Sequence, residues 1–185
     1  FLSIALLLAA GTAVLAMSIS DYLALVRAME AHYRNERFAD LFAGLERAPR
    51  ALADRLGAID GVSVMETRVV QPVRVLRADT DLPIAGRIVS VPVSDQPQLN
   101  RLHLLQGRWV EADNPEEVII NAAYAEARGV RLGDGIDVIL NGRMESFRVV
   151  GIALSPEVVF ATRAAVPLPD DRNFVVLWAG DNAVR

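Results

Sequence analysis

The chain opens with an uncharged, largely apolar run, Phe1 to Ser20, which passes without a proline into a polar segment, Asp21 to Tyr33. About twenty residues of α-helix cross the ~30 Å of hydrocarbon in a bilayer. The length and composition of the run therefore predict one transmembrane helix. A cleavable secretory signal is the alternative, but its apolar core usually has only about 7 to 15 residues.

Apolar residues continue into the polar segment at alternating spacings of four and three. This spacing is typical of a helix face that packs against another helix. It favours an anchor over a signal, and it predicts that one helix, residues 1–35, leaves the membrane as a stalk. The residues of this face, which we call the seam and predict to be the stalk interface, are Leu15, Ile19, Tyr22, Val26, Met29 and Tyr33.

The next segment, residues 36–80, has the pattern of a strand, a helix and a second strand. Arg37 to Glu46 alternates weakly and is predicted as a strand, with a helix as the alternative. Arg47 to Ile59 has helical spacing behind Pro49, which a first helical turn tolerates. Val62 to Leu76 is predicted as a long, half-exposed strand. We interpret this segment as the first part of an α/β lobe that follows the stalk.

Residues 81–180 have the pattern of a β-rich lobe with one short helix. A turn at 78–83 predicts that the strand from Ile84 to Val93 forms a hairpin with the preceding strand. Asn141-Gly142 is a preferred pair for a tight hairpin turn between alternating apolar positions. The remaining predicted elements are a strand at Glu117 to Ile120, a helix from Asn121 to Gly129, and a buried strand at Phe174 to Trp178. The predicted fold class is α+β, with the boundary between the lobes near residue 80.

Composition and charge exclude several classes of protein. The net charge is −4, there is no cysteine, and all 19 basic residues are arginine. Without cysteine there is neither a disulfide framework nor a thiolate metal site, and without lysine there is no Schiff-base chemistry. Since no basic stripe with interleaved aromatic residues occurs, a nucleic-acid partner is not expected.

The residues that could carry chemistry lack the spacing that chemistry requires. His32 and His103 are isolated, and neither belongs to a metal-binding motif. Glu116 and Glu117 are adjacent on an extended element, so they face opposite ways and cannot act as a paired acid and base. Ser155 precedes a proline and lies outside any nucleophile motif. The sequence therefore predicts no catalytic residue, no metal site and no cofactor, and we expect a protein that is not an enzyme.

Two blocks of sequence resemble the extracytoplasmic core of FtsX-like and MacB-like ABC transporter permeases. The first block covers residues 38–70. The second block covers residues 107–157 and carries most of the resemblance, because five short pieces occur in the family's order: EEVIIN, AAYAEARGV, LGDG, FRVVGI and GIALSPE.

The resemblance implies a domain outside the bacterial inner membrane that couples ATP hydrolysis on a separate cytoplasmic ATPase to extrusion or release of a substrate. It also implies a second permease copy or a paralogue as partner, while the presence of a periplasmic adaptor stays open. The family's first lobe has a second half and further membrane helices, which these 185 residues do not contain. The alternative function is a single-pass, membrane-anchored adaptor that binds a peptide or lipoprotein through a sheet edge.

Overall fold

A computed structural model describes residues 1–77, 83–93, 95–158 and 171–184. They form two units, Phe1–Asn35 and Glu36–Arg185. The fold is α+β, as predicted. The helices are α1 Leu2–Asn35, α2 Arg50–Gly57, α3 Ala122–Arg128 and α4 Asp181–Val184; the strands are β1 Val70–Leu76, β2 Ile84–Val91, β3 His103–Gly107, β4 Glu117–Asn121, β5 Gly135–Leu140, β6 Arg143–Leu154 and β7 Phe174–Gly180.

Helix α1, which we call the stem, is one uninterrupted helix of 34 residues, about 51 Å long at 1.5 Å per residue. By length and composition it could cross a membrane, and none of its apolar window is buried. Two hydroxyl groups within the apolar run donate hydrogen bonds to carbonyl oxygens one turn earlier, from Thr12 to Leu8 at 3.0 Å and from Ser18 to Val14 at 2.9 Å. Both hydroxyls are therefore satisfied inside the helix, as an apolar environment requires.

The strands of the second unit close into a ring. Their order is β3-β6-β4-β7-β2-β1-β5, and β5 also pairs with β6. Strand β6 makes this closure possible because its first half pairs with β5 and its second half with β4 and β3. The result is a six-stranded barrel with β3 added outside it on β6. We call the second unit the barrel domain.

The alternation of side chains along the strands produces two apolar cores. The larger one receives residues from all six ring strands, including the fully buried Ile88, Val118, Val138 and Leu177, and so fills the barrel. The smaller one lies on the outer face of β2, β4, β6 and β7, where Trp178 packs with Leu102 and Val110. Helices α3 and α4 contribute Tyr124 and Val184 to the larger core.

The hairpin predictions are confirmed. Strands β5 and β6 pair antiparallel from Leu140↔Arg143 outward, and strands β1 and β2 pair antiparallel as well. Asn141 and Gly142 both have positive φ, 51° and 78°, which a type I′ turn demands of its two central residues. The turn predicted at 78–83 falls almost wholly outside the described residues.

The predicted strand at Arg37 to Glu46 is wrong, and so is its helical alternative, because this segment is irregular. Its weak alternation has no sheet beneath it: Leu41, Phe42 and Leu45 are exposed, and within 37–46 only Ala39 is buried. The backbone of a strand needs a neighbouring strand for its hydrogen bonds, and among the described residues none lies beside this segment.

Two further elements are shorter than predicted. The helix begins at Arg50, since Pro49 has extended backbone angles and stands at the N-cap. The strand predicted from Val62 begins only at Val70, where pairing with Val89 starts. Strands β1 and β2, on either side of the predicted lobe boundary, belong to the same ring. A first lobe completed by chain beyond these 185 residues stays a prediction.

Candidate functional site

The seam lies along the polar half and the adjoining apolar turns of the stem. At 3.6 residues per turn its six residues fall within an arc of about 80°. Leu15, Ile19, Tyr22 and Met29 are 49% to 67% exposed, while Val26 and Tyr33 are half-buried. The structure thus contains the continuous helix that the seam requires, and the seam's role as an interface stays a prediction.

The first residues after the stem, Glu36–Ala39, are fastened to the barrel domain; we call them the lead segment. The backbone N–H groups of Asn100 and Arg101 donate to the carbonyl oxygens of Arg37 and Glu36, at 3.0 and 2.8 Å. The side-chain oxygen of Asn100 accepts the N–H of Ala39 at 2.9 Å. Asn100 and Ala39 are both buried, so these bonds are shielded from water.

Asn100 can make these contacts because its backbone is left-handed, with φ of 49°. Asparagine adopts this conformation more readily than most residues. The same turn points the carbonyl oxygens of Leu99 and Asn100 toward Arg68. Asn100 is therefore held on one side by the lead segment and on the other by Arg68.

The guanidinium group of Arg68 connects three separate parts of the chain, residues 66–68, 99–100 and 157. It donates to Glu157 at 2.8 Å, to Glu66 at 3.3 Å, and to the carbonyl oxygens of Leu99 and Asn100. Glu66 also accepts the backbone N–H of Leu99 at 3.1 Å. The three charged side chains are only 12% to 20% exposed. We call Arg68, Glu66 and Glu157 the Arg68 cluster.

A second ion pair joins Arg108 and Glu117 within the barrel domain. Two nitrogens of Arg108 bind the two carboxylate oxygens of Glu117, one of them at 2.8 Å. Hydrogen bonding from Arg108 lowers the pKa of Glu117, and burial only partly opposes this effect. The same hydrogen bond raises the pKa of Arg108 above its ordinary value. Glu117 also accepts the N–H of Glu111 at 3.2 Å, so the pair fixes the turn that leads into β4.

The residues of the barrel domain considered for chemistry form no catalytic or metal-binding group among the described residues. His103 is exposed and lies 3.5 Å from a carboxylate oxygen of Glu36. The hydroxyl oxygen of buried Ser155 accepts the N–H of Glu157 at 3.2 Å, which is a turn contact. Glu116 is exposed and Glu117 is buried, so these neighbours do face opposite ways. Among the described residues no group of three or more His, Asp or Glu side chains could hold a metal ion.

The sequence did not reveal Arg68, Asn100 or Arg108, because no motif surrounds them. One signal was available for Arg68, which stands between Glu66 and the apolar pair Val69-Val70 in a segment with strand-like alternation. A charged residue in such a place is expected to find a partner when the segment is half-buried. The identity of the partners, 31 to 89 residues away, was not readable.

Comparisons with known proteins give one result of note. No model of a known protein family matches the sequence, and no curated protein matches it significantly. The chain is similar to a solved structure described as the extracellular domain of the noncanonic ABC-type transporter YknZ from Gram-positive bacteria, with 17% sequence identity and a TM-score of 0.44. The match covers 80% of this chain and 71% of that one.

Proposed function

We propose that this chain is the extracytoplasmic domain of an ABC transporter permease, together with the membrane helix that carries it. In this role the stem passes movement, driven by ATP hydrolysis on a separate cytoplasmic subunit, to the barrel domain outside the bacterial inner membrane. The barrel domain then extrudes or releases a substrate and performs no catalytic step of its own.

One observation carries the proposal. The stem is a single helix whose apolar first part has the length of a membrane span and whose second part continues, without a break, to Asn35. The very next residues, Glu36–Ala39, are bound to the barrel domain. A helix is stiff along its axis, whereas an irregular linker would absorb displacement. This arrangement suits a part that transmits movement better than a simple tether.

The order of the sequence motifs supports the same proposal. EEVIIN covers β4 with the residue before it, AAYAEARGV covers α3 and its C-cap, and FRVVGI lies within β6. LGDG forms the turn between α3 and β5, where Gly133 has a φ of 89°. The motifs that carry the resemblance therefore lie on β4, α3, the turn after α3 and β6. They belong to one barrel domain and are not scattered over unrelated parts of the chain.

The proposal assigns one partner in the cytoplasm and one in the membrane. On the cytoplasmic side it requires an ATPase subunit, because the described residues contain no glycine-rich phosphate loop leading into a helix. In the membrane it pairs the stem with the stem of a second permease copy or a paralogue through the seam.

The absence of cysteine from the sequence allows a direct test of the seam. In the full-length protein, reconstituted in membranes with its ATPase, Val26→Cys should form disulfide-linked dimers, and nucleotide should change their yield. Ala28→Cys is the matched control, since it lies about 140° from the centre of the seam on the same helix. Equal cross-linking at both positions would contradict the interface.

A second measurement tests the transporter assignment itself. The full-length protein, purified from its native membrane, should carry an ATPase subunit with it. The variants Val26→Asp, Met29→Asp and Tyr33→Asp should keep the barrel domain folded while they abolish nucleotide-dependent cross-linking elsewhere on the seam. Isolation of the protein without any ATPase would contradict the proposal.

A further inference from the structure

We propose that the Arg68 cluster is a clasp that keeps the lead segment bound to the barrel domain and so sets how firmly the stem is coupled to it. The coupling role rests on the proposed function above. The clasp itself is a property of these 185 residues and can be tested without a transporter. Nothing in the sequence motifs points to Arg68, which lies before the first strand of the barrel.

The contacts make Asn100 the link between the cluster and the lead segment. Every described hydrogen bond from the lead segment's backbone to the rest of the barrel domain goes to Asn100 or Arg101. Arg68 in turn binds the carbonyl oxygens of Leu99 and Asn100. The side chain of Glu36 adds a contact of 3.5 Å with His103, and the irregular chain that follows leaves Leu41 and Phe42 exposed.

The charge balance of the cluster depends on the side chain of Arg68. Arg68 is the cation that pairs with two carboxylates, those of Glu66 and Glu157, and all three side chains are largely shielded from water. Without the guanidinium the two carboxylates would face each other and two carbonyl oxygens in a half-buried space, where like charges repel strongly. Removal of one carboxylate, by contrast, would leave a balanced ion pair.

Lysine cannot replace arginine here. The planar guanidinium offers five N–H donors in a fixed fork, and Arg68 contacts four acceptors, on Glu66, Leu99, Asn100 and Glu157. A lysine ammonium has three donors at one point. Arg68→Lys should therefore preserve the charge balance and still lose part of the clasp.

Amide hydrogen exchange on the 185-residue chain in lipid nanodiscs tests the clasp. The reporting amides are those of Ala39, Asn100 and Arg101, which form the bonds to the lead segment. Arg68→Met should raise their exchange about tenfold, the change expected from a lost charged hydrogen-bond network. Arg68→Lys and Glu157→Gln should give smaller increases, and the amides of the β5–β6 hairpin should keep their protection.

Arg143→Met is the matched control, because Arg143 is exposed at the start of β6. It should leave the three reporting amides unchanged. Unchanged exchange in Arg68→Met would overturn the clasp, and so would a uniform increase across the whole barrel domain, which would indicate a general loss of stability. If Arg68→Met does not fold, Glu157→Gln must still raise exchange at the reporting amides and nowhere in the hairpin.

The same variants separate the clasp from the proposed function. In the full-length protein with its ATPase, Arg68→Met should leave ATP hydrolysis intact and weaken the nucleotide-dependent change in exchange within the barrel domain. If no ATPase accompanies the protein but the reporting amides respond to Arg68→Met, the proposed function fails and the clasp stands. If an ATPase is present and the reporting amides do not respond, the clasp fails alone.

Discussion

The stem and the barrel domain differ in how they pair their backbone hydrogen-bonding groups and in how far they bury their apolar side chains. The stem pairs its backbone groups within one helix, and none of its 34 residues is buried. The barrel pairs its backbone groups between strands distant in sequence and buries residues such as Val118 and Val138 completely. The barrel therefore carries its own apolar environment, whereas the apolar side chains of the stem are exposed, which fits the proposal that they meet a bilayer and a second helix.

This difference predicts that the two regions respond independently to mutation. Changes inside the barrel should alter its stability and leave the stem helical. Changes on the stem should leave the stability of the barrel alone and alter only what the stem meets in the membrane. The following predictions examine this contrast, beginning with the largest expected effect.

Trp178→Ala should destabilise the barrel domain most. Trp178 is 1% exposed and anchors the outer core, and loss of such a side chain costs about 3–5 kcal/mol through lost contacts and a residual cavity. Chemical denaturation followed by the fluorescence of Trp109, the other tryptophan, measures the loss. Leu25→Ala, which removes a 70% exposed side chain of the stem, should not shift the same transition. A comparable shift from both substitutions would show that the regions do not respond independently.

Glu117→Gln should make the stability of the barrel less sensitive to acid. Arg108 lowers the pKa of Glu117 in the folded protein, so its carboxylate stabilises the fold above its ordinary pKa of 4.5. That contribution is lost as pH falls through the lowered value. Urea midpoints measured from about pH 6 down to about pH 3 should therefore fall less steeply for Glu117→Gln than for the unmodified chain.

The neighbouring substitution Glu116→Gln is the control, since Glu116 is exposed and its side chain makes no described contact with Arg108. It should retain the steep acid dependence. The loss at neutral pH from Glu117→Gln should be smaller than that from Trp178→Ala. Parallel acid profiles for Glu117→Gln and the unmodified chain would contradict the importance of the pair.

Gly142→Ala should have the smallest of these effects, about 1 kcal/mol of lost stability. Gly142 has a φ of 78°, where a side chain is strained although there is open space for it. Gly135→Ala is the matched control because it also meets open space but has no positive φ. Thermal unfolding should distinguish the two variants. Equal melting temperatures would mean that the positive φ at Gly142 does not affect the stability of the barrel domain.

Elements whose signals lie close together in the chain were predictable. Asn141-Gly142 and the alternation around it predicted the β5–β6 hairpin, and Gly129 predicted the end of α3, where its φ of 66° forms the cap. In each case the residues that decide the conformation are neighbours in sequence. The apolar run at Phe1 to Ser20 belongs to the same group, since helix length and composition are local properties.

Elements that depend on distant partners were not predictable in the same way. Arg37 to Glu46 and Val62 to Arg68 have strand-like alternation, but none of these residues is paired with a described strand. The closure of the barrel through β6 likewise depends on which strands meet, and the sequence names only the hairpin neighbours. Alternation indicates that a segment is compatible with a β-sheet. It does not indicate that a neighbouring strand is present to pair with it.

The sequence by itself determined the stem, its seam, the α+β character and the order of motifs, because each follows from residues within a few turns or one hairpin of each other. Only the tertiary structure decided that six strands close into a barrel, and that Arg68 joins Glu66, Leu99, Asn100 and Glu157. The physical reason is that a guanidinium group recognises any well-placed oxygen. Its partners are therefore set by which parts of the fold come within hydrogen-bond distance, and the amino-acid pattern around the arginine does not specify them.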